Sequence, residues 1–129
     1  MDTPLISNLN IIENISLIKE ALYNVPTPKA QKEAKEALEL VKLENIAQKR
    51  PAFCKPIEIF KAQFVRASML KSAKIAIVTP SKFLIEKDIL DVILLLQSSL
   101  KLKKDIVIFD LITNRFRYEN RGFICHIRE

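Results

Sequence analysis

The 129-residue chain has one glycine, Gly122, one histidine, two cysteines and no tryptophan. Each scarcity removes a class of chemistry. Glycine supplies positive-φ turns and lets a backbone close on a phosphate. One glycine therefore excludes a P-loop, a GxGxxG dinucleotide fold, a kinase glycine loop and a GxSxG elbow. One histidine and two cysteines cannot assemble a zinc finger or a Cys/His zinc site. The chain does not begin with a basic stretch followed by an apolar one, as a secretory signal would. Its uncharged apolar run Val92 to Leu100 falls far short of the about 20 residues a membrane span needs. Cys54 and Cys125 are then expected to be reduced thiols. These absences predict a cytoplasmic protein with no membrane partner, no cofactor and no metal.

Hydrophobic residues make up 49% and charged residues 28%, an ordinary globular balance. The length suits a single domain over residues 1–129, with a helical part at 1–73 and a strand–helix–strand unit with a C-terminal meander at 74–129. The net charge is +6, and it is unevenly spread. Residues 29–74 hold eleven Lys/Arg against five Glu, while Lys101, Lys103 and Lys104 form a second cluster. A field concentrated in this way suits a polyanion or an acidic protein partner.

Periodicity predicts the elements. Thr3 and Pro4 read as N-cap and first residue of a helix carrying Leu5, Leu9, Ile12, Ile15, Ile18 and Leu22 on one stripe. Thr27 and Pro28 repeat the device and open a second helix over about 28–50, with Ala30, Ala34, Ala37, Leu38 and Val41 inward. Pro51 ends it. A third helix at about 57–72 is apolar on two sides, so it either packs between layers or shows one side to a partner. From Lys74 the period changes. Ile75 to Val78 reads as a buried strand, Ile85 to Leu102 as a fourth helix and Asp105 to Ile112 as a second strand, consistent with a parallel crossover. Arg115 to Tyr118 and Phe123 to Ile127, joined by a turn at Gly122, read as a terminal meander.

Few constellations carry chemistry. Asp105 and Asp110 fall on opposite faces of one strand. Asp88 and Asp91 sit where a helix N-terminus attracts acids in any case, so a small metal-dependent nuclease is only a remote alternative. His126 and Cys125 are strand neighbours that point apart, which removes a nucleophile–base pair. The basic residues offer more. Lys49, Arg50, Lys55, Lys61, Arg66, Lys71 and Lys74 form a candidate phosphate-contacting set. Arg115 and Arg117 alternate with Phe116 and Tyr118, so cations and rings fall on opposite faces, which does not suit a stacking platform.

Residues 74–112, from Lys-Ile-Ala-Ile-Val-Thr-Pro through Asp91-Val92 to Asp-Ile-Val-Ile-Phe-Asp-Leu-Ile, resemble the strand–helix–strand centre of the psi subunit of bacterial DNA polymerase III. That resemblance covers under a third of the chain, does not extend to the helical N-terminus, and implies a non-enzymatic adaptor role. No functional residue is carried over from it. The expectation is an α/β or α+β protein, a helical half followed by a β-α-β-(β)-β unit with a three- to four-stranded sheet. Its expected function is that of a non-catalytic basic adaptor binding a protein partner, as an accessory subunit in a nucleic-acid-handling, replication-type complex. Direct nucleic-acid binding through the basic helices at about 28–74 is the alternative.

Overall fold

The computed structural model describes residues 3–72, 74–78 and 89–109. The elements in order are helices α1 (Ile11–Tyr23) and α2 (Thr27–Leu40), two short 3-10 turns (Glu44–Ile46 and Pro51–Phe53), helix α3 (Pro56–Ser68), strand β1 (Lys74–Val78), helix α4 (Ile89–Ser99) and strand β2 (Asp105–Phe109). The mixed helix-and-strand character follows the sequence pattern. The third and fourth strands expected from residues 113–127 lie outside the described residues, as does the segment 79–88 in which α4 was expected to begin.

The first helix begins seven positions later than the Thr3–Pro4 signal implies, at Ile11. The stronger signal is Asn10-x-x-Glu13. Glu13 N–H donates to Asn10 Oδ1 at 2.8 Å and Asn10 N–H donates to Glu13 Oε1 at 3.1 Å. This reciprocal capping box satisfies two backbone donors at once. The N–H groups of Ile11 and Ile12 donate to the carbonyls of Lys49 (3.0 Å) and Ala47 (3.1 Å), so the start of α1 leaves no orphan donor. Residues 3–9 instead fold back along the helix. Asn14, 2% exposed, holds them: its Oδ1 accepts from Ile6 N–H at 2.7 Å, and its Nδ2 donates to the carbonyls of Ile6, Leu9 and Asn10.

The second helix is shorter than its sequence pattern. It stops at Leu40 rather than near residue 50, because Lys42 adopts a left-handed conformation with φ 60°. Leu43 N–H returns to Leu38 O at 2.8 Å and Lys42 N–H to Glu39 O at 3.1 Å. That is a Schellman cap, with Leu43 and Leu38 both buried as its apolar clasp. Helix α4 closes the same way: Lys101 has φ 52°, Leu102 N–H meets Gln97 O and Lys101 N–H meets Ser98 O, both at 3.1 Å. Lysine thus occupies a position that usually goes to glycine. At the start of α2, Thr27 is the first helical residue and not its cap; its hydroxyl bonds to Glu20 instead.

Helix α3 ends at Ser68, four residues before the expected limit, and it packs between layers. Phe60, Ala62, Gln63, Phe64 and Val65 are buried, and Ile57, Ile59, Ala67 and Met69 are half-buried against the core, so none of these apolar side chains is exposed. Of the two alternatives its pattern left open, packing between layers is the one observed. One core cluster joins Phe60 and Phe64 to Ile11 and Ile15 of α1, Leu38 of α2, Ile75 and Ile77 of β1, and Leu90, Ile93 and Leu96 of α4. Each buried phenylalanine contributes about 1.5–3 kcal/mol of transfer free energy.

Strands β1 and β2 pair in parallel, Lys74 opposite Asp105 through Val78 opposite Phe109, with α4 in the crossover. The continuous apolar run of β1 reads as buried on both faces; the structure covers one. Ile75, Ile77, Ile106 and Ile108 face the core, while Lys74, Ala76, Asp105, Val107 and Phe109 are exposed. The run is continuous only because the outward position is alanine. Among the described residues no helix is long and apolar enough to cross a membrane.

Candidate functional site

Of the nine basic positions singled out by sequence, the seven among the described residues are spread over several elements. Lys49 and Arg50 sit at the N-terminal end of α1, where the Lys49 carbonyl holds Ile11. Lys71 sits at the other end, its ammonium 4.4 Å from the centre of the Tyr23 ring and its N–H donating to the Tyr23 hydroxyl at 2.8 Å. A helix of 13 residues separates them by about 20 Å. Lys55 precedes α3, and Lys74 begins β1. Lys61 and Arg66 share α3 but lie five positions apart, which places them about 140° apart around the axis. Arg66 is already engaged: its guanidinium donates to the carbonyls of Pro4 (3.0 Å) and Thr3. Burial of the guanidinium lowers its pKa from the usual arginine value. It clamps the N-terminal segment to α3, with Gln63 Nε2 donating to the same Thr3 carbonyl at 3.2 Å. Arg115 and Arg117 lie outside the described residues.

Lys49, Arg50 and Lys55 are exposed neighbours in sequence, and they flank a residue that the sequence alone does not single out. Phe53 is 75% exposed. The loop carrying it is stiff. Pro51 and Pro56 fix two of its φ angles, Phe53 N–H donates to Arg50 O and Cys54 N–H to Pro51 O, both at 3.0 Å. The Cys54 thiol donates to Arg50 O at 3.6 Å, and the side chain packs half-buried against the core. Inward anchors at Ile46, Ala47 and Cys54 therefore leave Phe53 no route into the interior. Beyond it, Lys55 N–H donates to Glu58 Oε1 at 2.8 Å and starts α3. An aromatic ring held in water forgoes the transfer energy a buried one gains, and a rigid loop loses little further freedom when a partner covers it.

The electrostatics of this loop are mixed. Desolvation by burial and then Glu58 push the Cys54 thiol above its ordinary pKa, with Lys49 acting the other way. The thiol is protonated at neutral pH and is a poor nucleophile. The loop holds a protonated cysteine, an exposed ring and three exposed cations.

Two further features bear on the site. A hollow of about 290 Å³ lies between α1, α2, the end of α3 and the end of α4, floored by Ala37, Leu40, Met69, Leu100 and Leu102. Its charged lining includes Lys19 and Glu33, which pair at 2.9 Å. Among the described residues no group of three or more His, Cys, Asp or Glu is placed to hold a metal ion; Asp88 and Asp110, which the nuclease alternative requires, lie outside them. Sequence reasoning missed Phe53 because an isolated apolar residue in a loop does not declare whether it faces in or out. The usable signal was the pair of prolines around it.

No protein-family model matches the chain, and no curated protein matches it. The strand–helix–strand likeness of residues 74–112 therefore rests on their own pattern.

Proposed function

We propose that the protein is a non-catalytic interaction module, an adaptor that inserts Phe53 into an apolar pocket of a protein partner whose rim is acidic. The observation that carries this reading is a phenylalanine three-quarters exposed on a proline-braced loop between Arg50 and Lys55. Aromatic residues and arginine dominate binding energy at protein interfaces, and truncating such an anchor typically costs 2 kcal/mol or more, about 30-fold in affinity. The raised thiol pKa and the lack of a metal-holding cluster among the described residues leave the loop without a reactive group, which fits an adaptor. A place within a nucleic-acid-handling assembly is compatible with the basic bias.

The test is retention of host proteins on the immobilised full chain, measured by quantitative mass spectrometry against Phe53→Ala and Arg50→Ala. Both variants are expected to fold normally, since neither side chain supports the core, and to lose the same subset of retained proteins. An unchanged set with Phe53→Ala would overturn the reading. Direct nucleic-acid binding by this loop would show instead as single-strand binding lost in Phe53→Ala through stacking.

A further inference from the structure

Parallel pairing brings the starts of β1 and β2 to the same edge of the sheet, and with them the segments that lead into both strands. Lys74 stands opposite Asp105, so residues 71–74 and 101–105 run in side by side. Two side chains tie the edge together: Lys104 Nζ donates to the Leu70 carbonyl, 34 positions away, and Gln97 Nε2 donates to the Lys104 carbonyl at 3.4 Å. The result is a cluster of Lys71, Lys74, Lys101, Lys103 and Lys104, assembled from two stretches that are separate in sequence. Against these five cations the two segments carry one acid, Asp105. Lys71 is steadied over the Tyr23 ring, and Lys101 is projected from the left-handed cap of α4.

Three kinds of polyanion could answer such a field, and the composition of the edge separates them. Among the described residues of the two segments the exposed ones are Lys71, Ser72, Lys74, Lys101, Lys103 and Asp105; none of these is apolar, and Leu102 lines the hollow. Protein interfaces are depleted in lysine and rest on an apolar centre; here the exposed apolar side chains of the sheet, Val107 and Phe109, lie further along β2 and not within the lysine segments. A membrane surface needs apolar side chains to insert beside the cations. A nucleic-acid backbone needs neither, since its contacts are hydrated, cationic and tolerant of long flexible side chains. Single strands are bound by stacking on exposed rings, and the ring at this edge, Tyr23, is covered by Lys71. We propose that this lysine edge binds the phosphate backbone of a nucleic-acid duplex, without base readout. The site is distinct from the Phe53 loop and does not depend on that reading.

The experiment is fluorescence anisotropy of a labelled mixed-sequence DNA duplex titrated with the full chain at a series of salt concentrations. Binding is expected at low salt, weakening with a log–log slope of about −3 to −4, as four phosphate contacts imply. Lys74→Gln with Lys103→Gln, two exposed positions, should reduce that slope by about two and affinity at low salt by about ten-fold or more. Lys49→Gln with Arg50→Gln should leave both unchanged. Lys101→Gly gives an independent readout: relief of the left-handed lysine raises the thermal midpoint while loss of the cation lowers affinity, whereas a purely structural role moves both together. The proposal is overturned by absence of low-salt binding, by an equal loss in the Lys49/Arg50 double variant, or by polyglutamate of matched charge competing as well as unlabelled duplex.

Discussion

The two ends of α1 are both basic, yet they are built by different means. At the N-terminal end the chain is held by main-chain bonds: Ile11 and Ile12 donate to residues 49 and 47, and the Phe53 loop closes on its own carbonyls. The apolar ring there faces water. At the C-terminal end the ties beyond the helix are made by side chains, the Tyr23 hydroxyl to Lys71 and the Lys104 ammonium to Leu70. Among the described residues, the segments leading into the strands there expose no apolar side chain. Main-chain bonding preserves a loop's shape when its side chains are changed, so a ring can be presented rigidly and replaced without collapse. Side-chain bonding leaves the edge adaptable, which suits lysines that follow a repeating charge rather than fill a pocket.

Three substitutions sharpen that contrast beyond the two binding tests already given. The largest effect is expected at the N-terminal end. Asn14→Ala strips the buried partner of Ile6, Leu9 and Asn10, leaving polar main-chain groups unpaired, and should cost about 2–3 kcal/mol. Urea unfolding measures the loss, and hydrogen exchange should show Ile6 losing protection while α4 keeps it. At the opposite end Tyr23→Phe removes the acceptor of Lys71 N–H but keeps the ring, and the group it frees can turn to water. A loss of about 1 kcal/mol or less is expected; a larger one would show that the C-terminal end is as firmly built as the other. The smallest change is a gain. Lys42→Gly relaxes a left-handed lysine within the α2 cap and should add about 0.5–1 kcal/mol, part of the relief being offset by the freer unfolded chain.

The hydrophobic pattern located all four described helices and both described strands, because each stripe found a core to face. Boundaries failed where local hydrogen bonding outcompeted the pattern. Asn10-x-x-Glu13 was readable as a cap, but Thr3-Pro4 came first and the apolar stripe already included Leu5, which is indeed buried. The end of α2 was not readable: nothing in Lys42 announces a left-handed residue, and the cap is enforced by Leu43 packing with Leu38. For the candidate sites, residue type was legible and placement was not. Arg66 looks like any surface cation until the N-terminal segment, 62 positions away, closes on it. The lysine edge needs the parallel register of Lys74 with Asp105, a long-range fact that no local window contains.

The clamp between Arg66, Gln63 and the carbonyls of Thr3 and Pro4 also orders events in time. Its two halves are separated by 60 or more positions, and a chain is synthesised from its N-terminus at about 5–20 residues per second. For several seconds after Leu5 leaves the ribosome, the partners that will cover it do not yet exist. A chaperone that reads exposed aliphatic segments therefore finds this stretch open before α3, against which it docks, has been made.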